Sequence, residues 1–512
     1  MYGKPGITGE KKREKKTHNV GMQSIRFRHK TLVLRGRRHH RLSHHAVGHG
    51  VACFGHYLCV REITMKLYFT PWVFLCFGLL VFCQNNVLAG EQKDLTKLES
   101  SLSTTIKLSD LLTYAYLSSP AITASKKSWE AFIENYRVGK SYPDPQLAAT
   151  YFPRPIETRL GPQDWSLTLS QVIPFPGTLS QKGRVLEADV TISRLKVDKT
   201  VKAIVTEVSS AFYELVYIQK AIEVARANLD LNQKMLQISQ NAYAGDKALF
   251  YDVSKARAQT AQIQYDILLL QELEKTEKTK INTLLNRSPT AALGNAAGIL
   301  PQTVVYSLDE VYELAMLHQE DILMAEKKVH KSEQAIQLTR IETLPSFKLG
   351  LFYAGIGDPD VPNPPQDAGD DAVGVQFGMN LPLWFGKNKS LTARALVEKQ
   401  KAQAEKTDTA NKVKARISRL WFKLENAERL ITLYEKDLLP QAVSSVQTAE
   451  TWFKQGQGSF SDVLEIQATA YNFQLSLERA KADYAKTLVL LEQAAGTVLD
   501  AKNARNTGEK KP

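Results

Sequence analysis

Residues able to do chemistry are sparse in this chain, and their spacing argues against catalysis. Beyond residue 90 only two histidines occur, His318 and His330, in helical segments with Met316 and Met324 nearby. Separated surface histidines and core methionines account for them more simply than metal ligation does. All four cysteines, Cys53, Cys59, Cys76 and Cys83, lie before residue 90, so the remainder can form neither a disulfide nor a thiolate metal site. There is no Ser/His/Asp set, no phosphate-binding loop and no convincing pair of catalytic carboxylates. The expectation is a protein that is not an enzyme and uses no metal or cofactor. The carboxylates that stand out are Asp462 and Glu465, which follow the glycine-rich turn Gly456-Gln457-Gly458. An aspartate there is a good helix N-cap, and Asp462 with Glu465 has capping-box-like spacing.

The elements that position these acids occur twice. Leu108, Ala115, Leu117, Ile122 and Pro145 match Leu308, Ala315, Leu317, Ile322 and Pro345 at a spacing of 200. Later the spacing is 210: Phe212 matches Phe422, Phe250 matches Phe460, and Asp252-Val253 matches Asp462-Val463. A period this long is not a solenoid unit. It reads as two copies of one large subdomain, 105–297 and 305–499, with about ten extra residues inside the second. Asp252 stands where Asp462 stands, which favours a shared capping role. Lys255 stands where Glu465 stands, so shared architecture does not explain Glu465.

Each copy opens with a helical pattern; in the first it runs from 107 to about 140 and stops at Tyr142-Pro143-Asp144-Pro145. Alternating segments follow. Leu147 to Phe152 and 165–170 are expected to pair around a turn at 153–164, which holds three prolines and a glycine. Trp165, Leu167 and Leu169 alternate with Ser166, Thr168 and Ser170. In the second copy Phe347, Leu349, Leu351 and Tyr353 alternate with Ser346, Lys348 and Gly350. Val373, Val375, Phe377 and Met379 alternate with Gly374, Gln376, Gly378 and Asn380. The loop 357–371 carries most of the extra length. Such strands fit either a half-buried soluble sheet or a membrane barrel. Four strands cannot close a barrel, and an open edge cannot sit in lipid, so a barrel needs several chains. In that case Trp165, Leu167, Leu169, Val373, Val375 and Phe377 face lipid, while Ser166, Thr168, Gln376 and Asn380 face water. Tyr151, Phe152, Trp165, Tyr353, Trp384 and Phe385 suit an interfacial girdle.

Prolines and glycines then turn strand into helix, at Pro174, Pro176 and Gly177 in one copy and at Pro382 and Gly386 in the other. Apolar residues recur in steps of three and four from Val201 to Leu229 and from Val413 to Leu438, the spacing of a coiled-coil seam. The second seam sits one residue off the 210 register. Residues 180–242 as one helix would span about 90–100 Å. These helices are expected to turn back at Gly245-Asp246 and at Gly456-Gln457-Gly458, where glycine supplies a left-handed stop.

The formal net charge of +13 belongs to a leader, not to the body. Residues 1–64 hold 14 Lys/Arg and 3 Asp/Glu, whereas residues 90–512 hold 51 basic and 50 acidic side chains. Residues 65–89 have the layout of a secretory signal: Met65-Lys66, the apolar run Phe69 to Phe82, and Val87-Leu88-Ala89 before Gly90. A transmembrane anchor would need a longer run, and a lipidated Cys83 would want a smaller residue than Phe82 before it. Residues 1–64 are read as unfolded or as upstream of the true start at Met65, not as a nucleic-acid-binding tail. Residues 90–104 are read as a tether and 500–512 as a polar tail.

The order helix, hairpin, Pro-x-x-Gly bend and long antiparallel helix pair, duplicated once, resembles the TolC-like outer-membrane efflux proteins. The Gly-to-Asp-Val tips and Leu438-Leu439-Pro440-Gln441-Ala442 add to the likeness, and Pro174-Phe175-Pro176-Gly177 is most similar to the heavy-metal-resistance branch. The resemblance implies a mainly α fold with a small β part. It implies a homotrimer in which each chain gives four strands to a twelve-stranded barrel and its helices to a periplasmic tunnel. It also implies a passive exit duct in the outer membrane, working with a periplasmic adaptor and an inner-membrane pump of RND or ABC type, with no nucleic acid involved. The family closes its tunnel with a ring of acids, which places Asp462 and Glu465 at the constriction; Gly458 stands where other members carry a basic residue. Gly245, Asp246, Gly456 and Gly458 would shape the surface that meets the adaptor. The alternative is a periplasmic adaptor or coiled-coil scaffold protein.

Overall fold

The computed structural model describes residues 98–246, 248–298 and 304–499, which lie in one compact unit. The leader, the signal-like segment with its Gly90 boundary and Cys83, and the polar tail fall outside the described residues. The tether reading ends early: residues 98–104 are helical, and Leu102 is fully buried against Ile106, Leu111 and Phe212. An apolar residue every fourth position gives this polar-looking stretch one face to bury.

The first repeat runs β1 (Thr105–Ile106), α1 (Leu108–Ser118), α2 (Pro120–Lys140), β2 (Gln146–Thr158), β3 (Gly161–Ile173), α3 (Thr178–Ala244), α4 (Phe250–Leu284) and β4 (Asn295–Ala296). The second runs α5 (Leu308–His318), α6 (Glu320–Glu342), β5 (Phe347–Ile356), β6 (Ala372–Met379) and α7 (Phe385–Thr432). A π-helical turn (Leu433–Leu438), α8 (Leu439–Lys454) and α9 (Phe460–Ala495) complete it. At 67 residues, α3 is about 100 Å long. No helix among the described residues is long and apolar enough to cross a membrane.

Two equivalent cores show the duplication. In the first, Leu111 and Ala115 pack with Val208, Ala211, Leu215, Ile281 and Leu285. In the second, Val311 and Ala315 pack with Ile417, Leu420, Leu424, Leu491 and Ala495. The short strands β1 and β4 pair in parallel, Thr105 with Asn295 and Ile106 with Ala296, and close the first core. Nothing in a two-residue strand announces itself by periodicity.

The structure locates the ten extra residues. The spacing is 200 at Pro145/Pro345 and 209 at Gly177/Gly386, so nine lie in the hairpin and its loop. Buried positions keep the 209 spacing through Val208/Ile417, Ala211/Leu420 and Leu215/Leu424; beyond the π turn, Asn232/Ala442 and Ser239/Ala449 follow 210. The tenth residue is the π turn itself, which explains the one-residue shift of the second seam. The match of Phe212 with Phe422 fails for the same reason: Phe212 is buried, Phe422 is exposed, and Trp421 stands in the equivalent place. The cause is Pro440, which offers no N–H and whose ring collides with the carbonyl four residues back. The helix accommodates it by bonding the Leu439 N–H to the Tyr434 carbonyl, five residues back.

Candidate functional site: the sheet, the bends and the helical tips

The four long strands form one sheet in the order β2-β3-β5-β6. Its ladder aligns Ala149, Leu167, Tyr353 and Val373 across all four strands, and then Leu147, Leu169, Leu351 and Val375. This face is open: Val373 and Val375 are 76% and 81% exposed, and Phe377, Leu169 and Trp165 are exposed as well, with Leu167 half-buried. The opposite face aligns Ser170, Gly350 and Gln376, and Thr168, Phe352 and Gly374. Ser166, Ser170 and Ala354 on it are buried. Trp165 lies over Gly355, where an added Cβ would come within 2.4 Å of its indole nitrogen, and its ring sits 5.2 Å from Tyr353. Neither β2 nor β6 has a second neighbour within the chain, so both edges carry unsatisfied backbone groups.

The expected turn at 153–164 is not a turn. Strands β2 and β3 run through it and reverse at residues 159–160. Pro153 and Pro155 are tolerated because β2 is an edge strand, and the register shifts between Tyr151 and Ile156 around them. The second hairpin has the expected long loop, fastened to the first: Gly357 N donates to Pro162 O at 2.8 Å and Gly369 N to Leu160 O at 2.8 Å. Gly161, at φ +136, is required here, since a Cβ would meet the Gly357 carbonyl at 1.7 Å.

The two bends differ. Gly177 is left-handed (φ 92) and is the N-cap of α3, with Pro174 half-buried and Pro176 exposed before it. Gly386 instead lies in the first turn of α7, after Pro382 and the exposed run Leu383, Trp384 and Phe385.

At the far end of the helices, the caps are not the aspartates. The N-caps of α4 and α9 are Leu249 and Ser459, and Asp252 and Asp462 are the third helical residues. Asp252 accepts from Leu249 N at 3.2 Å, and Ser459 Oγ accepts from Asp462 N at 3.3 Å. The cap is therefore Ser459 over Asp462, three residues earlier than a pairing of Asp462 with Glu465. That frees the Glu465 side chain from any capping duty. Asp462 and Glu465 are both exposed, three residues apart on one face of α9, and neither has a basic partner among the described residues. Lys255, the counterpart of Glu465, instead donates to Ser461 Oγ, next to Asp462. Gly456 takes the left-handed stop at φ 72, but in the first tip Asp246 does so at φ 55, with Gly245 at φ −100. Aspartate visits that region more readily than most residues. Gly458 packs its backbone against Trp452. His318 and His330 are exposed on separate helices, and no group of three potential ligands that could hold a metal occurs among the described residues.

Sequence comparison places this architecture. Residues 311–497 match the family model "Outer membrane efflux protein". The second repeat thus matches the outer-membrane efflux family. The chain is 23% identical over 347 residues to Nodulation protein T of Rhizobium leguminosarum bv. trifolii, covering 65% of this chain and 71% of that one. It is 22% identical over 304 residues to Outer membrane protein TolC of Vibrio cholerae serotype O1, covering 58% and 69%. Among solved structures, the outer membrane protein VceC of Vibrio cholerae shares the fold at a TM-score of 0.62 and 19% identity, over 77% of this chain and 97% of VceC. CusC does so at 0.63 and 14% identity, over 76% and 92%. The two likenesses are equal in depth, so the fold does not single out a branch. The likeness in sequence is to outer-membrane efflux proteins, and the likeness in structure is one of fold.

Two cross-repeat networks along the long helices escaped the sequence reading. Glu214 of α3 accepts from Arg479 at 2.7 Å and Lys486 at 2.5 Å on α9. Burial alone would raise the Glu214 carboxyl, but the two cations outweigh it and hold it below its ordinary value. Lys202 pairs with the buried Glu320 and donates to Gly496 O at 2.6 Å. Partners 118 to 294 residues apart leave no local signal.

Proposed function

We propose that this protein is the exit duct of a tripartite efflux or type I secretion assembly, a passive conduit from periplasm to exterior rather than an enzyme. The observation that carries the reading is the sheet. A four-stranded sheet with one open apolar face and two unpaired edges is not finished as a soluble structure. Three chains, joined edge to edge, would satisfy every strand and present one apolar surface to lipid, giving twelve strands. The helices that leave it would then surround a periplasmic tunnel.

In that trimer the exposed faces of α9 bring three copies of Glu465 and Asp462 toward one axis, as a cation-attracting constriction. The first and second tips, with Gly245, Asp246, Gly456 and Gly458, meet the helical hairpin of a periplasmic adaptor, and an inner-membrane pump of RND or ABC type supplies energy and selects cargo. The adaptor alternative is disfavoured because the described residues carry one four-stranded sheet and no lipoyl-like or barrel segment.

The test is reconstitution of the mature chain in planar bilayers, with gel migration before and after heating. Discrete channels and a heat-dissociable trimer are expected. A soluble monomer without conductance would overturn the reading.

A further inference from the structure

We infer that the helix ends beneath the sheet form a receptor surface for anionic phospholipid headgroups of the periplasmic leaflet. The inference rests on the reading that the sheet lies in the bilayer. Six exposed cations gather at this level: Lys140, Lys182, Arg184, Arg340, Lys387 and Lys389. Lys140 packs its stem 3.7 Å from the Cβ position of Gly183. Lys182 and Arg184 lie within about 10 Å of the start of α3, and Lys387 and Lys389 within about 6 Å of the start of α7. Gln181 holds Gln334 by hydrogen bonds, and Arg340 lies about 9 Å further along α6 toward the sheet.

None of the six has a carboxylate partner among the described residues. Arg184 reaches only Gln181 at 3.4 Å, and Lys140 lies over the Tyr136 ring at 5.7 Å. The acids at this level are three, Asp144, Glu342 and Glu134, all exposed, and Glu134 is taken by Arg137 at 2.6 Å. Farther from the sheet the same helices pair their charges: Lys331 with Asp189, Lys399 with Glu333, Lys406 with Glu326 and Lys199 with Asp321, at 2.6 to 3.2 Å. Unpaired cations also occur farther along these helices, Arg194, Lys196, Lys327 and Lys328 among them, but at the bends six of them stand beside exposed apolar and aromatic side chains. Directly above the band, Leu381, Leu383, Trp384 and Phe385 are exposed and continue the apolar face of β6. Apolar surface, then aromatic rings, then cations on flexible stems is the order a bilayer presents in reverse: hydrocarbon, interface, phosphate. The N-termini of α3 and α7 add positive dipole ends at the same height. The helix side of the sheet is the periplasmic side, where the leaflet is built of phospholipid.

The test uses the full mature chain in liposomes, with Trp384 or Trp165 kept as the single tryptophan and quenching by brominated phosphatidylglycerol compared with brominated phosphatidylcholine. The Trp384 protein should show a preference of about five-fold for the anionic lipid at low salt. Replacing Lys182, Lys387 and Lys389 by Gln should abolish the preference, and replacing them by Arg should keep it. Equal quenching by both lipids, or a preference that survives the Gln replacements, overturns the proposal while leaving the bilayer reading intact. Silence of Trp384 with quenching of Trp165 means a second copy covers the bend, which also overturns it. Silence of both overturns the bilayer reading itself.

Discussion

The two helical tips share an outline and differ in almost everything a partner would feel. Phe460 opens α9 and is 2% exposed, 5.3 Å from Phe453 and packed with Met235, Ala256 and Val463 from both repeats. Phe250 opens α4 at the equivalent position and is 62% exposed, with Leu249 and Tyr251 open beside it. Glu465 projects a free carboxylate where Lys255 is turned inward to Ser461. Duplication kept the backbone path and let burial and charge diverge. The second tip is built into a core that fixes where its acids point; the first leaves an apolar aromatic surface open. The same asymmetry runs up the helix, where only the second repeat absorbs an extra residue in a π turn.

The largest effect is expected from removing that residue. Deleting Lys436 restores the 209 spacing throughout and rotates everything after it by about 100°. Ala442 and Ala449 then leave the seam they occupy. Hydrogen exchange should show lost protection across 442–470 while the core around Leu215 stays protected. Unchanged protection would mean that the π turn is incidental.

Phe460→Ala should lower stability by about 3–5 kcal/mol, because it empties a filled core site. Phe250→Ala should change it by less than about 0.5 kcal/mol in the dissociated chain. Denaturant unfolding checks both, and equal costs would erase the contrast between the tips. At the sheet the repeats should behave alike: Leu167→Arg and Val375→Arg should each cost about 2–4 kcal/mol in lipid, whereas Gln376→Arg should be tolerated. Equal damage from Gln376→Arg would refute the alternation.

Smaller effects concern charge. Glu214 has a carboxyl held below its ordinary value of 4.5, so its contribution is fully present above that value and is lost as pH falls through the lowered one. Glu214→Gln should remove about 1–3 kcal/mol at neutral pH and flatten the acid limb of the stability profile; an unchanged acid limb would show that the cross-repeat network is inert. Asp462→Asn with Glu465→Gln should weaken cation selectivity in planar bilayers while trimers persist, and Lys255→Gln should strengthen it. If neither moves the reversal potential, the constriction lies elsewhere.

Much of the fold was legible in the residues. The 200-to-210 spacing declared the duplication, and the three-four steps from Val201 to Leu229 declared the long helix. Strict alternation at Val373, Val375 and Phe377 declared a two-faced sheet. These are local periodicities, fixed by the geometry of helix and strand. The proline-rich stretch 153–164 misled because proline reports a missing donor, not a turn; only knowing that β2 is an edge makes it acceptable. The caps misled by three residues because Ser459 and Asp462 both suit a helix start, and only the backbone path chooses between them.

The sequence by itself determined the repeat, the element types, the apolar faces and the candidate acids, since each depends on neighbours within a few residues. Tertiary structure alone decided that the sheet is ordered β2-β3-β5-β6 with both edges open. It also decided that the extra residue is stored beside Pro440, that Lys255 turns to Ser461, and that Glu214 joins Arg479 and Lys486. Those pairings join residues far apart in the chain, and which of many similar cations meets which acid is settled only when the two repeats pack.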